Sequence, residues 1–140
     1  MLSGEYRHAV DAKNRLFIPA KHRDQLGESF IVIKSYSDRC LLVYSTEEWE
    51  KVKEKFESIP MTSNRRLNRF LYSSAIDAQP DSQGRILLTP ALKEYAQIDR
   101  NAVVVGCGSY AEIWSDKIYD AGIDEQDPDE FIEILKSFGL

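Results

Sequence analysis

At 140 residues with 43% hydrophobic content, the chain can bury one core of moderate size, and two independent domains of half that length would each be marginal. No apolar run approaches the roughly 20 residues that span a bilayer, and the opening Met1-Leu2-Ser3-Gly4-Glu5 lacks the apolar stretch of a secretory signal, so a cytoplasmic protein is expected. The net charge of -5 disfavours an anionic partner only until it is located: residues 112–140 carry 9 acidic and 2 basic side chains, whereas residues 1–111 carry 16 basic and 14 acidic ones.

Residues 5–10, which hold Tyr6, His8 and Val10, read as extended. Asp11-Ala12-Lys13-Asn14 then supplies turn chemistry, because Asp and Asn bond their own backbone and Asn tolerates positive φ; residues 15–18 are the return strand of a hairpin. Pro19-Ala20-Lys21 opens a short helix that reaches Leu26 and stops at Gly27. Residues 30–33 and 41–44 are β-branched and apolar runs that form a second hairpin. Ser45-Thr46-Glu47-Glu48 is a capping box, with Ser45 and Glu48 satisfying each other's backbone donors, and starts a helix through about residue 56. Residues 63–72 form a further helix. Thr89 caps, and Pro90 opens, a short helix to about residue 96, and residues 102–105 and 112–114 make another hairpin. Ser115 starts a helix equivalent to the one at Ser45. Residues 120–126 are expected to be a flexible linker, before Asp127-Pro128-Asp129-Glu130 begins a final helix.

This order contains a repeat. Asp11-Ala12-Lys13-Asn14-Arg15 followed by Leu16-Phe17-Ile18 returns 70 positions later as Asp81-Ser82-Gln83-Gly84-Arg85 followed by Ile86-Leu87-Leu88. The same offset pairs Arg23-Asp24 with Lys93-Glu94, Val43-Tyr44-Ser45 with Ile113-Trp114-Ser115, and Trp49 with Tyr119. Gly84 stands where the first copy has Asn14, so both turns need a left-handed backbone there. Two half-length copies of one unit fill the chain.

Catalytic constellations are missing from the sequence. Only His8 and His22 are available; there is no Gly-x-Ser-x-Gly, phosphate-binding loop or set of spaced metal ligands, so no enzyme, cofactor or metal is expected. Asp124, Asp127 and Asp129 depart from a calcium loop, since Pro128 intervenes and the loop glycine is absent. Gly106-Cys107-Gly108 reads as a hairpin turn. Cys40 and Cys107 occupy non-equivalent places in the two copies and read as small buried hydrophobes. Trp49, Trp114 and Tyr119 read as core or subunit-contact residues rather than a base-stacking platform.

Gly4-Glu5-Tyr6-Arg7-His8, then Asp11 to Lys21, then Asp81-x-x-Gly84-Arg85-Ile86-Leu87-Leu88, Glu94-Tyr95-Ala96 and Ala111-Glu112-Ile113-Trp114-Ser115 in that order resemble the MraZ family of bacterial transcriptional regulators over about residues 1–120. The second copy departs from the family pattern, with Leu88-Thr89-Pro90 where Ile-Pro is usual. The resemblance implies an α+β, mainly β fold of two tandem AbrB/SpoVT-like β-β-α-β-β units, interlocked as one pseudo-dimeric barrel with peripheral helices. The first unit with its following helix would span residues 1–60, a connecting helix 61–73, the second unit 74–120 and an acidic tail with a short helix 121–140. It further implies double-stranded promoter DNA with short direct repeats as partner, upstream of the protein's own operon for cell division and wall synthesis. Assembly into a closed ring of identical subunits and a place on the nucleoid are also implied, with neither membrane nor small-molecule substrate.

Within that frame, Arg15 with Lys13 beside it reaches DNA, Arg85 is the counterpart of Arg15, and Asn14, Arg7, Lys21 and Arg23 complete the candidate set. Arginine can bridge guanine O6 and N7 in the major groove, whereas lysine on phosphate adds affinity without sequence information. Because Gln83 replaces Lys13 in the second loop, the first copy should dominate. A structural reading stands beside this one: Asp11 accepts turn amides and pairs with Arg15, and Asp81 repeats this with Arg85, with Gly84 holding the turn. Arg7, Lys21 and Arg23 could equally be ordinary exposed residues, and Arg65, Arg66 and Arg69 could serve subunit contacts. An oligomeric scaffold that binds protein partners without DNA is the alternative function.

Overall fold

Strands that are apolar on both faces must be covered on both faces. A computed structural model describes residues 1–122 and 127–140 and shows how this chain meets that demand. The elements in order are β1 (Glu5–Ala9), β2 (Arg15–Phe17), α1 (Ala20–Leu26), β3 (Phe30–Lys34), β4 (Leu41–Ser45), α2 (Thr46–Glu57) and α3 (Met61–Tyr72). There follow β5 (Ile76–Ala78), β6 (Arg85–Leu87), α4 (Pro90–Ala96), β7 (Asn101–Gly106), β8 (Ala111–Ser115), α5 (Asp116–Asp120) and α6 (Pro128–Ser137). Val32 and Ile33, Leu41 and Leu42, and Val103 and Val104 send successive side chains into opposite cores, as the period of 2 along a strand requires. One core, around Leu16, Phe30, Ile86, Leu92 and Ile113, lies under β2, β6, α1 and α4. The other, around Ile33, Leu42, Trp49, Leu71 and Trp114, is covered by α2, α3 and α5. Trp49 and Trp114 are thus core residues.

The pairing reveals how the copies join. The local hairpins β3–β4 and β7–β8 form as expected and pair with each other through β4 and β8. β1 crosses to β7 of the second copy, and β5 returns the exchange by pairing with β3 of the first. The result is one antiparallel sheet, β1-β7-β8-β4-β3-β5, beside a separate pair, β2-β6. The expected hairpin between residues 5–10 and 15–18 therefore shrinks to one bridge, Val10 to Leu16. Turn chemistry is local and survives, but partner choice follows burial: Leu16 and Ile86, 0% and 1% exposed, face each other across β2 and β6. The α+β, mainly β class holds, while β1 and β5 remain edges, so among the described residues these ladders close no barrel.

Helix starts follow the chemistry. Thr89 accepts the amide of Leu92 at 3.4 Å, and Pro90 occupies the first turn, so the shifted proline leaves α4 intact. Ser45 caps α2 by accepting from the Glu48 amide at 3.2 Å. The Glu48 carboxylate turns instead to Lys51 at 3.1 Å, so the observed cap is the Ser45 half of the box. Ser45→Ala is expected to cost about 1 kcal/mol, read as a lower urea midpoint at unchanged slope. The helix after Ser115 is shorter than its counterpart and Ser115 makes no side-chain cap. α3 begins at Met61, two positions before the expectation. Asp127 caps α6 by accepting from Asp129 at 3.1 Å. Asp120 belongs to α5 rather than to the linker expected over residues 120–126, of which 123–126 lie outside the described residues. Cys40 is fully buried and Cys107 half-buried; burial pushes their thiols up to about 12 and about 11. No described helix is long and apolar enough to cross a membrane.

Candidate nucleic-acid interface

Each repeated motif is a turn organised by its aspartate. Asp11 Oδ1 accepts the amides of Lys13 and Arg15, both at 2.9 Å, and Oδ2 accepts Nε–H of Arg15 at 2.7 Å. Asp81 repeats the arrangement with the amides of Gln83 at 2.9 Å and Arg85 at 3.0 Å, and with Arg85 Nε at 3.0 Å. The left-handed position is occupied as the repeat demands, by Asn14 with φ 61° and Gly84 with φ 80°. These bonds leave the Nη atoms of Arg15 without a protein hydrogen bond among the described residues.

Hydrogen bonding, led by the Arg15 amide, holds the Asp11 carboxyl below its ordinary value, and the Arg85 amide leads the same effect on Asp81. A carboxyl depressed in the folded state stabilises the fold above its unfolded pKa, and that contribution is lost as pH falls through the folded value. Melting temperature is therefore expected to drop as pH passes below the ordinary 3.8. Asp11→Asn with Asp81→Asn should shrink the difference between melts at neutral pH and at about pH 3.

The separate strand pair brings the two turns together. In its register Arg15 stands opposite Leu87, and Phe17 opposite Arg85. Since Leu16 and Ile86 point into the core, Arg15, Phe17, Arg85 and Leu87 share the outer face. The turns lock reciprocally: Ile18 donates its amide to Gly84 O at 2.9 Å and Leu88 donates to Asn14 O at 2.8 Å. Arg85 Nη1 lies 3.6 Å from Asp11 Oδ2, so the carboxylate of one copy touches the arginines of both.

Helices α1 and α4 each add a cation to this face. Arg23 donates Nε–H to Ile18 O at 2.8 Å and lies over the Phe17 ring at 5.4 Å. It passes so close to Gly84 that a Cβ there would stand 2.7 Å from its Cζ. Lys93, the repeat partner of Arg23, donates to Asn14 Oδ1 at 2.7 Å. Lys93 is not among the residues that charge around the first motif singles out, and its 70-residue offset from Arg23 is the sequence signal that finds it. Lys13 and Lys21 are exposed and form no ion pair among the described residues. Alanine at position 91 replaces Lys21 in the second copy, so the first copy carries more of the charge.

Arg7 goes elsewhere. It lies on β1 and grips Asp120 through two bonds of 3.0 and 2.7 Å, with Glu5 at 3.5 Å and the Tyr119 ring at 5.7 Å. Its work in this structure is to hold α5 against β1. Arg65, Arg66 and Arg69 stand exposed on α3, away from the strand pair.

Comparison with known proteins agrees with the doubled architecture. A family model described as "MraZ protein, putative antitoxin-like" matches twice, over residues 1–70 and 71–136. A protein of Carboxydothermus hydrogenoformans named transcriptional regulator MraZ is 43% identical over 86% of this chain and 85% of its own length. Proteins of the same name from Desulfitobacterium hafniense and Caldanaerobacter subterraneus are 43% and 38% identical, the first over 98% of this chain and 96% of its own length, the second over all of both. The chain belongs to the MraZ family.

Proposed function

We propose that this chain is a sequence-specific DNA-binding transcriptional regulator that reads duplex DNA with the outer face of β2 and β6. The observation that carries this reading is the convergence of Arg15, Arg85, Arg23 and Lys93 on that face, with Lys13 and Lys21 exposed beside it. The relatives' printed name, transcriptional regulator, supports it independently. Arg15 and Arg85 address base edges, while Lys13 and Lys21 neutralise phosphate. Asp11 and Asp81 hold the arginines in place and stay off the DNA, since a carboxylate repels phosphate. Turns already ordered by these bonds lose little entropy on binding.

The finer reading is that the interlocked halves act as an AbrB/SpoVT-like pseudo-dimeric barrel and that copies close into a ring on the nucleoid. Each subunit then meets one direct repeat in the promoter of its own cell division and wall operon. Once one subunit is bound, the next benefits from effective concentration. Repeats about 10 base pairs apart would lie on one face of the duplex. No catalytic step belongs to this reading.

Fluorescence anisotropy on a labelled fragment of the upstream region, with repeats intact or scrambled, tests it across a salt series. Selective binding is expected, with log affinity falling by about 0.9 per neutralised phosphate for each decade of salt. Failure to bind either fragment at low salt would overturn it in favour of a protein-binding scaffold.

A further inference from the structure

The 70-residue offset makes Leu87 the counterpart of Phe17, and the two fare differently. Phe17 is half-buried: Arg23 lies over its ring at 5.4 Å, and the His8 ring meets it edge-on at 4.9 Å. Neither cover is repeated in the second copy. Lys93, the counterpart of Arg23, is turned to Asn14 Oδ1 at 2.7 Å, and Ala78 stands in the place of His8. Leu87 is left 57% exposed.

Exposure of a single leucine is ordinary, but the location of this one is not. Among the described residues before α6, the other large apolar side chains left exposed are Met1 and Tyr36. Tyr36 shares a hydrogen bond with the Tyr44 hydroxyl at 2.9 Å and packs its ring on Phe56 at 5.4 Å. Leu87 instead stands directly opposite Arg15 and two residues along its own strand from Arg85, on the outer face of β2 and β6. A surface that held phosphate by charge alone would have no use for an apolar side chain between two arginines. The second copy has also lost charge on this face, with Gln83 for Lys13 and Ala91 for Lys21. What it presents in exchange is apolar surface.

Base edges carry a matching group. β2 and β6 form a two-stranded ribbon, an element that the major groove of duplex DNA admits, and the thymine 5-methyl is the apolar group displayed there. Directly opposite residues of antiparallel strands have Cβ atoms about 4.5–5.5 Å apart, and successive base pairs rise by about 3.4 Å. Leu87 therefore reaches the base pair that Arg15 addresses or the one next to it.

We propose that Leu87 is a specificity-determining residue that packs on the 5-methyl group of a thymine beside the base addressed by Arg15. The inference rests on the reading of duplex DNA by this face. It adds a division of labour, in which the first copy contributes the larger share of charge and the second the apolar contact.

Deoxyuridine pairs as thymidine does and lacks only the methyl group. Anisotropy titrations of labelled upstream fragments, made with thymine or with uracil throughout, test the proposal on the unaltered chain, Leu87→Ala and Leu87→Ile. Thermal melts accompany them, and both variants should fold, because Leu16 and Ile86 fill the core beneath. The unaltered chain is expected to prefer the thymine fragment by about fourfold for each methyl met, the worth of one buried methyl. Leu87→Ala should narrow that ratio by the same factor, and Leu87→Ile should retain it. Any effect of uracil on the shape of the duplex is common to all three proteins, so a change confined to Leu87→Ala isolates the contact. A folded Leu87→Ala that keeps the full ratio, or an unaltered chain that prefers intact repeats yet binds both fragments equally, would overturn the inference and leave the DNA reading standing. An unaltered chain that binds neither fragment at low salt would overturn both.

Discussion

Replacing Arg15 and Arg85 together by alanine is expected to abolish discrimination between intact and scrambled upstream repeats and to weaken binding to the intact fragment at least tenfold. A bidentate contact from arginine to guanine is worth about 1–3 kcal/mol, and the two arginines stand on one outer face. The variant should fold. Asp11 keeps the main-chain amides at positions 13 and 15, Asp81 keeps those at 83 and 85, and Leu16 and Ile86 still fill the core beneath. Arg15→Lys with Arg85→Lys separates charge from geometry, since lysine preserves charge without the planar fork. That variant should retain salt-sensitive binding and lose selectivity. Anisotropy titration beside a thermal melt reads both, and a folded alanine variant that binds as selectively as the unaltered chain would return Arg15 and Arg85 to a purely structural role.

Phe30→Ala is expected to have the largest effect on the fold. Phe30 is 0% exposed at the start of β3, opposite Ser45 of its own copy on one side and Ala78 of the other copy on the other. Deleting a buried phenylalanine side chain costs about 3–5 kcal/mol, a large share of a small domain's stability. Because the exchange of β1 and β5 places both copies around that side chain, denaturation should remain one transition with a lower midpoint. Urea unfolding followed by far-ultraviolet circular dichroism and tryptophan fluorescence, with Trp49 and Trp114 in different copies, checks this. Two separated transitions would mean that the halves fold independently.

Local chemistry was the readable part of this chain. Asp and Asn in the turns, Gly84 at the Asn14 position, Ser45 and Thr89 as caps and Pro90 at a helix start all depend on neighbours within four residues, and all stand where the sequence placed them. The repeat announced two equivalent units, and the β-branched runs announced the two central hairpins. Strand partners were harder: residues 5–10 and 15–18 look like a hairpin because a good turn joins them, yet β1 finds five-residue pairing on β7, and β2 is held over the core by β6. That choice depends on burial summed over both copies, which no local pattern contains. For the same reason Arg7, close to the motif in sequence, ends against Asp120, whereas Lys93, 79 residues from Asn14, bonds it directly.

Photocrosslinking from single positions shows which face of the molecule lies against DNA. Leu87, 57% exposed and opposite Arg15 across the strand pair, and Lys55, on α2 over the other face of the sheet, can each be replaced by a benzophenone amino acid in the full-length chain. Position 87 is expected to crosslink to the labelled upstream fragment, with yield falling as salt rises, and position 55 to stay unlinked. Crosslinking from position 55 with none from 87 would place DNA on the helical side and contradict the account.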